Sequence, residues 1–545
     1  MASEIPPCGV GRSFYSSYLH RMAIMISLRH SCSFFVLPLS LAICSGCGGG
    51  SDSGGGRVSP PVQTYTISGT VSGLAAGASL GLKNDGTDAI SLNTNGVFSF
   101  TNAVDSGGSY NVWVSQEPLN PVQFCVLKNG KGTATSNVTN IQVVCTTPAG
   151  QTLYNFGQQP DGIAPTGAPV FDNLGNLYGV TTYGGTSGEG TVFMLTPGKG
   201  QWTETAIYTF CPIPGCADGS EPGAGLIWDA AGNLYGTTNR GGAYGGGTVF
   251  KLSKNGTGIW TETVLHSFGN GTDGIGSDGI SGLVFDSSGN LYGTTVAGGS
   301  AGLCGGLNCG TAFELSPGPG GTWTESVIYN FCSAAGLFCP DGAYPMGELA
   351  LDAAGNLFGT TYQGGGIQGA GGTVFELSPH EGGQWIGTVL HVFGLGEDAE
   401  AGVILDTAGN LYGTTAGGGG GGYCTGCGGV FELTSLTGGQ WQETEIYSFS
   451  GTDGSSPSAP LVFDKAGNLY GTTTGGGPGY AGVVFALTPS EANQSWAEVP
   501  LYGFGYIKNG AGNVSGLAMD AQGNLYGVGA ALGTDGNGMV FSVTP

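Results

Sequence analysis

The sequence predicts an all-β protein: a seven-bladed β-propeller of four-stranded blades, closed by an N-terminal strand and preceded by a small β-sandwich. Three observations carry this prediction. Gly accounts for 111 of 545 residues and charged residues for 9%, without the Gly-X-Y period of collagen. A Gly-Asn-Leu-Tyr/Phe-Gly block recurs seven times, and repeats of this length are typical of propellers and solenoids. The third observation is an incomplete last repeat.

Each Gly-Asn-Leu block follows an Asp by three residues, and this pattern predicts a tight turn between two strands. Asp can accept hydrogen bonds from the backbone two or three residues on, and the Gly supplies a positive φ. A ring of metal sites is the alternative, although such sites need more oxygen ligands than one Asp per turn. The seven turn residues are Asp172, Asp229, Asp286, Asp352, Asp406, Asp464 and Asp520.

Two further blocks complete the repeat and predict how its ends meet. A second block, related to Thr/Val-Val-Phe-x-Leu, recurs seven times, around Phe193, Phe250, Phe313, Phe375, Phe431, Phe485 and Phe541. A third block, related to Trp-x-Glu-Thr-x-Leu-Tyr-x-Phe, recurs only six times before the sequence stops at Pro545. Residues 153–156 supply the tail of the missing copy. The N-terminal segment can complete the last repeat only where the two ends of the repeat region meet, as they do in a closed ring but not in a linear solenoid. We therefore expect residues 149–545 to close into a propeller. A propeller with another blade number is the alternative.

The N-terminal residues 1–47 are predicted to be an export signal. An apolar run of about 11 residues is too short to span a bilayer, which needs about 20. The segment Cys44-Ser45-Gly46-Cys47 resembles a bacterial lipobox, with Cys47 as the lipidated residue and Cys44 as the other register. A plain secretory signal is the alternative. Residues 1–21 fit no signal, which makes Met22 or Met25 a candidate start.

Residues 48–63 are rich in Gly and Ser, which predicts a flexible tether. Gly48 follows Cys47. By resemblance to lipoproteins of Gram-negative bacteria, this implies the outer membrane, facing the cell surface or the periplasm. Residues 64–148 alternate apolar and polar side chains, which predicts half-buried antiparallel strands and a small β-sandwich that acts as a spacer.

Ten Cys beyond the signal fall into five close pairs, which predicts disulfides in an exported chain. The Cys424–Cys427 pair also has the Cys-x-x-Cys spacing of redox and zinc sites, but no second Cys-x-x-Cys or nearby His completes a zinc set. The predicted pairs are Cys125/Cys145, Cys211/Cys216, Cys304/Cys309, Cys332/Cys339 and Cys424/Cys427.

The repeats Asp-x-x-Gly-Asn-Leu-Tyr-Gly-Thr-Thr and Gly-Thr-Val-Phe-x-Leu resemble the Gloeo–Verruco (GloVer) tandem repeat of anchored bacterial surface proteins. The resemblance covers residues 151–545. It implies a secreted or surface-attached β-repeat protein and implies no activity. Two copies depart from the pattern, with Val528-Gly529 in place of Thr-Thr and Ile386-Gly387 in place of Thr-Glu.

The charge and the residue composition exclude some classes of function. The chain has a net charge of −24, and residues 151–545 carry 31 acidic and 6 basic residues, a net −25. Nucleic-acid binding requires Lys and Arg and is excluded. No Ser/Cys–His–Asp set appears. His266 and His391 take the Tyr position of the third block, and residues copied in every repeat belong to the fold. We expect no catalytic residue and a monomer that binds an unknown glycan or protein.

Loop lengths predict which face binds. The first turn is constant, whereas the second loop and the loop between repeats vary, and four Cys pairs lie in these variable loops. Binding residues tend to lie on loops of a rigid scaffold. We therefore expect the partner on this face, and calcium is a weak candidate there. The alternatives are a polysaccharide hydrolase or lyase and a structural or adhesion element. The candidate residues are Asp161, Asp218, Asp341 and Asp453.

Overall fold

A computed structural model describes most of the chain beyond the predicted signal and tether. Apart from one 3₁₀ turn at Pro319–Gly321, all regular structure in the described residues is β, which confirms the all-β class. Cys44, Cys47 and Cys424, like the predicted signal and nearly all of the tether, lie outside the described residues. The described ranges are 63–85, 88–116, 118, 123–157, 160–271, 273–300, 304, 308–334, 336–419, 426–477, 479–490, 495–505 and 514–545.

The described residues of the N-terminal region form ten strands. Eight of them make two four-stranded sheets, in the orders β5-β2-β10-β8 and β4-β3-β7-β9, and β1 pairs with β6. The strands are β1 Thr64–Tyr65, β2 Ile67–Ser72, β3 Leu80–Asn84, β4 Asp88–Leu92, β5 Gly96–Ser99, β6 Val104–Asp105, β7 Ser109–Gln116, β8 Phe124–Lys128, β9 Lys131–Thr133 and β10 Val138–Thr146.

The two sheets share one apolar core, because alternate residues of each strand point inward. Ile67 and Val71 of β2, Leu80 and Leu82 of β3, and Val143 of β10 all belong to this core, and all are buried. Burying an apolar side chain of this size contributes about 1.5–3 kcal/mol. The apolar side chains that alternate in this part of the sequence are therefore the ones that form the buried core.

One expectation for this region was wrong in detail. β10 runs parallel to β2, with Val143 opposite Val71, although antiparallel strands were expected throughout. β8 and β10 pair antiparallel, with Cys125 opposite Cys145, whereas β9, which lies between them in the chain, pairs with β7. Alternation fixes which side chains are buried but not the direction of the neighbouring strand.

The seven repeats, numbered by their turn Asp, each form one sheet of strands in chain order. In repeats 2 and 3 the first strand is split in two. The first strands are Gly162–Phe171, Ser220–Pro222 with Ile227–Trp228, Ile275–Ile280 with Val284–Phe285, Ala350–Leu351, Ile404–Leu405, Val462–Phe463 and Ala518–Met519. The second strands are Leu177–Gly184, Leu234–Arg240, Leu291–Ala297, Leu357–Thr361, Leu411–Thr415, Leu469–Thr472 and Leu525–Gly529.

The third and fourth strands carry the other two sequence blocks. The third strands are Thr191–Thr196, Thr248–Lys254, Thr311–Pro317, Thr373–His380, Gly429–Ser435, Val483–Ser490 and Met539–Thr544. The fourth strands of repeats 1 to 6 are Thr203–Thr209, Trp260–Ser267, Trp323–Asn330, Gln384–Val392, Trp441–Ser448 and Ser495–Gly503.

The Gly of the Asn-Leu-Tyr-Gly block makes room for the Phe of the third strand. In repeat 1, a Cβ on Gly179 would lie 2.5 Å from Cζ of Phe193. Phe193 is fully buried, so any larger residue at 179 would displace it. This cross-strand contact explains why the two blocks recur together.

Successive sheets pack face to face. A Trp at or next to the start of each fourth strand contacts the Tyr or Phe of the preceding repeat. An example is the edge-on pair of Trp260 and Tyr178, with ring centroids 6.1 Å apart. All six of these Trp are half-buried, which agrees with packing between sheets. Equivalent pairs join Trp202 to Tyr526, Trp323 to Tyr235, Trp385 to Tyr292, Trp441 to Phe358 and Trp496 to Tyr412.

The last repeat is completed by a strand from the start of the repeat region. β11, Ala149–Asn155, pairs antiparallel with Met539–Thr544 and takes the place of the missing fourth strand. Repeat 7 also packs on repeat 1, since Phe171 and Tyr526 have ring centroids 4.8 Å apart. The sheet of the last repeat therefore contacts the sheet of the first repeat.

Candidate functional site

The turn Asp residues form a repeated hydrogen-bond network. In repeat 2, Oδ1 of Asp229 accepts hydrogen bonds from the backbone N–H groups of Ala231 and Asn233 at 2.9 and 2.8 Å. Oδ2 accepts from the Asn233 amide at 2.6 Å and the Tyr235 hydroxyl at 3.0 Å. Partial burial alone would raise the pKa of Asp229, but these bonds outweigh it and hold the pKa below its ordinary value. Both carboxylate oxygens are occupied by groups of the turn itself.

The same bonds recur at the other turns, with one difference in repeat 4. There Phe358 stands in place of the Tyr, so Asp352 keeps the bonds to Ala354 and Asn356 but receives none from a ring hydroxyl. The other five turn residues that share the full network with their Asn and Tyr partners are Asp172, Asp286, Asp406, Asp464 and Asp520.

The four Asp residues predicted on the binding face are bonded within the fold. Each accepts a hydrogen bond at Oδ2 from the Tyr hydroxyl of the strand before it. The distances are 2.7 Å for Tyr154–Asp161, 2.8 Å for Tyr208–Asp218, 3.0 Å for Tyr329–Asp341 and 2.6 Å for Tyr447–Asp453. The structure therefore places these carboxylates at the junctions between sheets. In the junction between repeats 2 and 3, His266 Nε2 lies 3.1 Å from Asp273 Oδ2.

A second carboxyl group lies close to each of several junctions. Burial and the nearby Asp raise the pKa of Glu204, Glu262 and Glu325 to about 7. In each, the buried Oε1 atom has no hydrogen-bond partner among the described residues. A neutral carboxylic acid is easier to bury than a carboxylate. Since the arrangement recurs, it belongs to the architecture of the ring.

The second loops and the loops between repeats lie on one face, which we call the loop face. In repeat 1 the N–H of Gly185, in the second loop, donates to the carbonyl of Asp161, in the loop entering that repeat. In repeat 4 the N–H of Gly365 likewise donates to the carbonyl of Cys339. The two kinds of loop that vary in length between repeats therefore lie side by side on the loop face.

Disulfides staple the loop face and the N-terminal region. Four of the expected pairs are bonded, namely Cys125–Cys145, Cys211–Cys216, Cys304–Cys309 and Cys332–Cys339. Cys427 is disulfide-bonded as well, and Cys424 lies outside the described residues. Short loops closed in this way lose conformational freedom in the unfolded chain.

The loop face of repeats 3 to 5 holds a cavity of about 470 Å³. Four loops build it, and we call it the loop-face pocket. Phe338 and Ile367 give it an apolar wall, and Gln363 and Asp398 place polar groups beside that wall. Burial raises the pKa of Asp398. A concave site with an apolar wall and a few polar groups is typical of small-ligand sites.

Exposed apolar side chains surround this pocket. Leu337, Phe338, Ile367 and Leu395 are 75%, 45%, 59% and 74% exposed. They come from three different loops, and the Ala370–Leu395 bridge joins two of these. Exposed apolar groups clustered at one place mark a contact surface more often than scattered ones do.

A singleton acid lies where the first strands converge. Four residues before the turn Asp, six repeats carry Gly, Ala or Pro, but repeat 4 carries Glu348. A Cβ on Gly282 would lie 2.5 Å, and one on Gly225 3.7 Å, from Oε1 of Glu348. The small residues of neighbouring repeats therefore leave the space that this side chain fills. The six small residues are Ala168, Gly225, Gly282, Gly402, Pro460 and Gly516.

The surroundings of Glu348 are apolar. It borders a cavity of about 360 Å³ together with Gly402, Ile404, Leu405 and Pro460. Burial raises its pKa. Among the described residues no group donates a hydrogen bond to this carboxyl. Sequence reasoning missed Glu348, although its departure from the small residue of the other repeats is visible in an internal alignment. The loop-face pocket has no comparable signal in the sequence, because four separate loops build it.

The fold is that of a repeat protein, and the sequence comparison identifies the class. The Gloeobacter/Verrucomicrobia repeat matches residues 124–368, 205–427 and 366–545. The chain belongs to this repeat family, which confirms the resemblance carried by the turn and Thr-Val-Phe blocks. No curated protein shows significant similarity to the chain.

Solved structures show a distant likeness. A luciferin-regenerating enzyme is 14% identical, with a TM-score of 0.35, over 73% of this chain and 95% of its own. A puromycin-hydrolyzing peptidase of Mycobacterium tuberculosis is 13% identical, with a TM-score of 0.43, over 67% and 50%. A gluconolactonase of Xanthomonas campestris is 14% identical, with a TM-score of 0.33, over 61% and 87%. Likenesses this distant carry no argument about activity.

Among the described residues, no helix has the length and apolar character needed to cross a membrane.

Proposed function

We propose that residues 149–545 form one seven-bladed β-propeller and residues 64–148 a β-sandwich. The support is the sheet order: each repeat forms its own sheet, and β11 completes the sheet of repeat 7. The contact of Phe171 with Tyr526 brings the last sheet onto the first. The shared core of the two N-terminal sheets supports the sandwich.

We propose an extracytoplasmic location, with the protein anchored in the outer membrane through a lipid on Cys47 or, in the other register, Cys44. The disulfides and the repeat family support a location outside the cytoplasm. The lipobox-like sequence and the Gly/Ser tether support the anchor. Labelling of whole cells with a radioactive fatty acid tests it, since Cys47→Ser removes the label only if Cys47 is the acceptor.

We propose that the loop-face pocket binds carbohydrate. The observation that carries this is that an aromatic residue, Phe338, lines one cavity together with Gln363 and Asp398. An aromatic ring offers a flat apolar surface to a sugar ring, and amide and carboxyl groups bond to its hydroxyls. The disulfide Cys332–Cys339 holds the loop that carries Phe338.

A glycan and polysaccharide binding screen on the mature chain, with and without calcium, tests the proposal. We expect binding that falls about tenfold or more in Phe338→Ala and in Asp398→Asn. Leu174→Ala is the control, because Leu174 is an exposed apolar residue, at 83%, in the constant first turn. Binding that both pocket variants leave unchanged, or no binding at all, contradicts the proposal and favours a protein partner or a structural role.

A hydrolase or lyase is the second candidate, and Glu348 is the observation that favours it. A carboxyl group whose pKa is raised by burial, beside a cavity, is suited to act as a general acid. Burial also raises the pKa of Glu400 in the next repeat, and Asp398 adds to this. Release of reducing ends from polysaccharides that is abolished by Glu348→Gln supports this candidate, and unchanged release in the variant excludes it.

A further inference from the structure

Two disulfides from different loops meet at one point of the loop face. Cys304 and Cys309 lie in the second loop of repeat 3, and Cys332 and Cys339 lie in the loop between repeats 3 and 4. The four sulfur atoms all lie within 4.8 Å of one another, and Sγ of Cys304 is 4.0 Å from Sγ of Cys339. Neither disulfide requires the other to be near, so this proximity needs its own explanation.

The spacing of the sulfurs is close to that of a tetrahedral metal site. Zinc bound by four thiolates has Zn–S distances of about 2.3 Å, which places the sulfurs about 3.8 Å apart. Once the two S–S bonds are opened, shifts of about 1 Å would bring the four atoms to that geometry. Four residues separate Cys304 from Cys309 and six separate Cys332 from Cys339, whereas the Cys pairs of structural zinc sites are typically separated by about two to four.

The four Cys are mostly shielded from solvent, but two of them border the loop-face pocket. Cys309, Cys332 and Cys339 are buried, with 0%, 5% and 7% exposure, which keeps water from competing as a ligand. Cys304 and Cys339 also border the loop-face pocket, so a small reductant and a metal ion can reach two of the four sulfurs.

We propose that Cys304, Cys309, Cys332 and Cys339 form a redox-dependent site for a zinc-class ion. When oxidised, the cluster is two disulfides. Two molecules of a dithiol reduce them to four thiols and are themselves oxidised to two disulfides. One divalent ion then binds the four sulfurs, and four protons are released to solvent. This inference is independent of the carbohydrate proposal.

The test uses the mature chain, reduced with a phosphine and then titrated with cadmium as a spectroscopic substitute for zinc. We expect one ion per chain and the charge-transfer absorption of cadmium thiolate. Oxidised protein should show neither. The double variant Cys304→Ser/Cys339→Ser should lose at least a hundredfold in affinity, whereas Cys211→Ser/Cys216→Ser, which removes an isolated disulfide, should bind as the parent does. Equal binding by the two double variants, or none by the reduced parent, overturns the proposal.

A second measurement avoids any variant that fails to fold. The reduced parent protein is alkylated with and without one equivalent of zinc, and the modified Cys are located by peptide mass mapping. We expect zinc to protect Cys304, Cys309, Cys332 and Cys339 at least tenfold relative to Cys211 and Cys216. Equal modification rates at all six sites contradict a metal site at this cluster.

Discussion

Gly387 lies directly against the ring of Tyr329. A Cβ on Gly387 would lie 2.5 Å from Cε2 and 2.6 Å from Cζ of the Tyr329 ring. The two residues belong to the fourth strands of repeats 4 and 3, and most other repeats carry a Glu in place of this Gly. At the same junction, Oδ1 of Asp341 has no hydrogen-bond partner in the part of the chain that the structure describes. The Ile-Gly departure in repeat 4 therefore changes how two sheets meet.

The contact predicts that Gly387→Ala destabilises the protein. The added methyl group would overlap the ring, and overpacking of this kind costs about 1–3 kcal/mol. Gly256→Ala is the matched control, because a Cβ there meets nothing within 4 Å. Denaturant unfolding of the two variants measures the difference. Equal free energies of unfolding would show that Tyr329 moves aside at no cost.

The buried junction acids predict that the protein is more stable in mild acid than in mild base. The pKa of Glu204, Glu262 and Glu325 is about 7 in the folded protein and near 4.5 in an unfolded chain. The folded state therefore holds more protons between these values. The stability that these acids contribute is complete below about pH 4.5 and is lost as the pH rises through about 7. Burial lowers the pKa of His266 and His391, and this partly opposes the effect below pH 6.5.

Thermal unfolding measured at pH 5.5 and pH 8 checks this expectation. We expect a higher Tm at pH 5.5, and a smaller difference between the two in the triple variant Glu204→Gln/Glu262→Gln/Glu325→Gln. Gln keeps the shape of the protonated acid but does not titrate. A parent protein that is more stable at pH 8, or a triple variant with the same pH dependence, contradicts the assignment.

Local signals in the sequence were sufficient for the repeat sheets but not for the sites. The turn Asp, the buried Phe of each third strand and the strand from 149 to 155 can be predicted because each acts on its own repeat or completes one. The parallel pairing of β10 with β2 and the meeting of Cys304 with Cys339 depend on contacts between distant segments. Period and spacing say nothing about such contacts. Glu348 could be predicted only in part. An alignment of the repeats shows an acid where the others have a small residue, but it does not show the cavity beside that acid.

The turn network predicts graded costs for removing its Asp. Asp229→Ala removes four hydrogen-bond acceptances and leaves the Tyr235 hydroxyl and the Asn233 amide without their partner, so we expect a loss of about 1–3 kcal/mol. Asp352→Ala should cost about 1 kcal/mol less, because Phe358 has no hydroxyl to leave unpaired. Chemical denaturation of both variants measures the difference. A cost that is larger at 352 would show that the ring hydroxyl is not the source of the effect.

Closure of the ring predicts equal costs at two equivalent Phe residues. Phe156 follows the strand from 149 to 155, and Phe210 follows the fourth strand of repeat 1. Their ring centroids lie 5.1 Å from those of Phe193 and Phe250, at the same interplanar angle of 65°, and both are buried. Truncating either to Ala creates the same cavity, which costs about 3–5 kcal/mol.

The comparison of Phe156→Ala with Phe210→Ala tests whether the N-terminal strand is docked in solution. If it is docked, the two variants lose the same free energy of unfolding and keep a single transition. If the strand detaches readily, Phe156→Ala costs much less, because its side chain is then exposed for part of the time in the parent protein. The exposed edge of the strand from 539 to 544 would in that case promote association between chains. Size-exclusion chromatography at two protein concentrations, run beside the unfolding curves, detects that association.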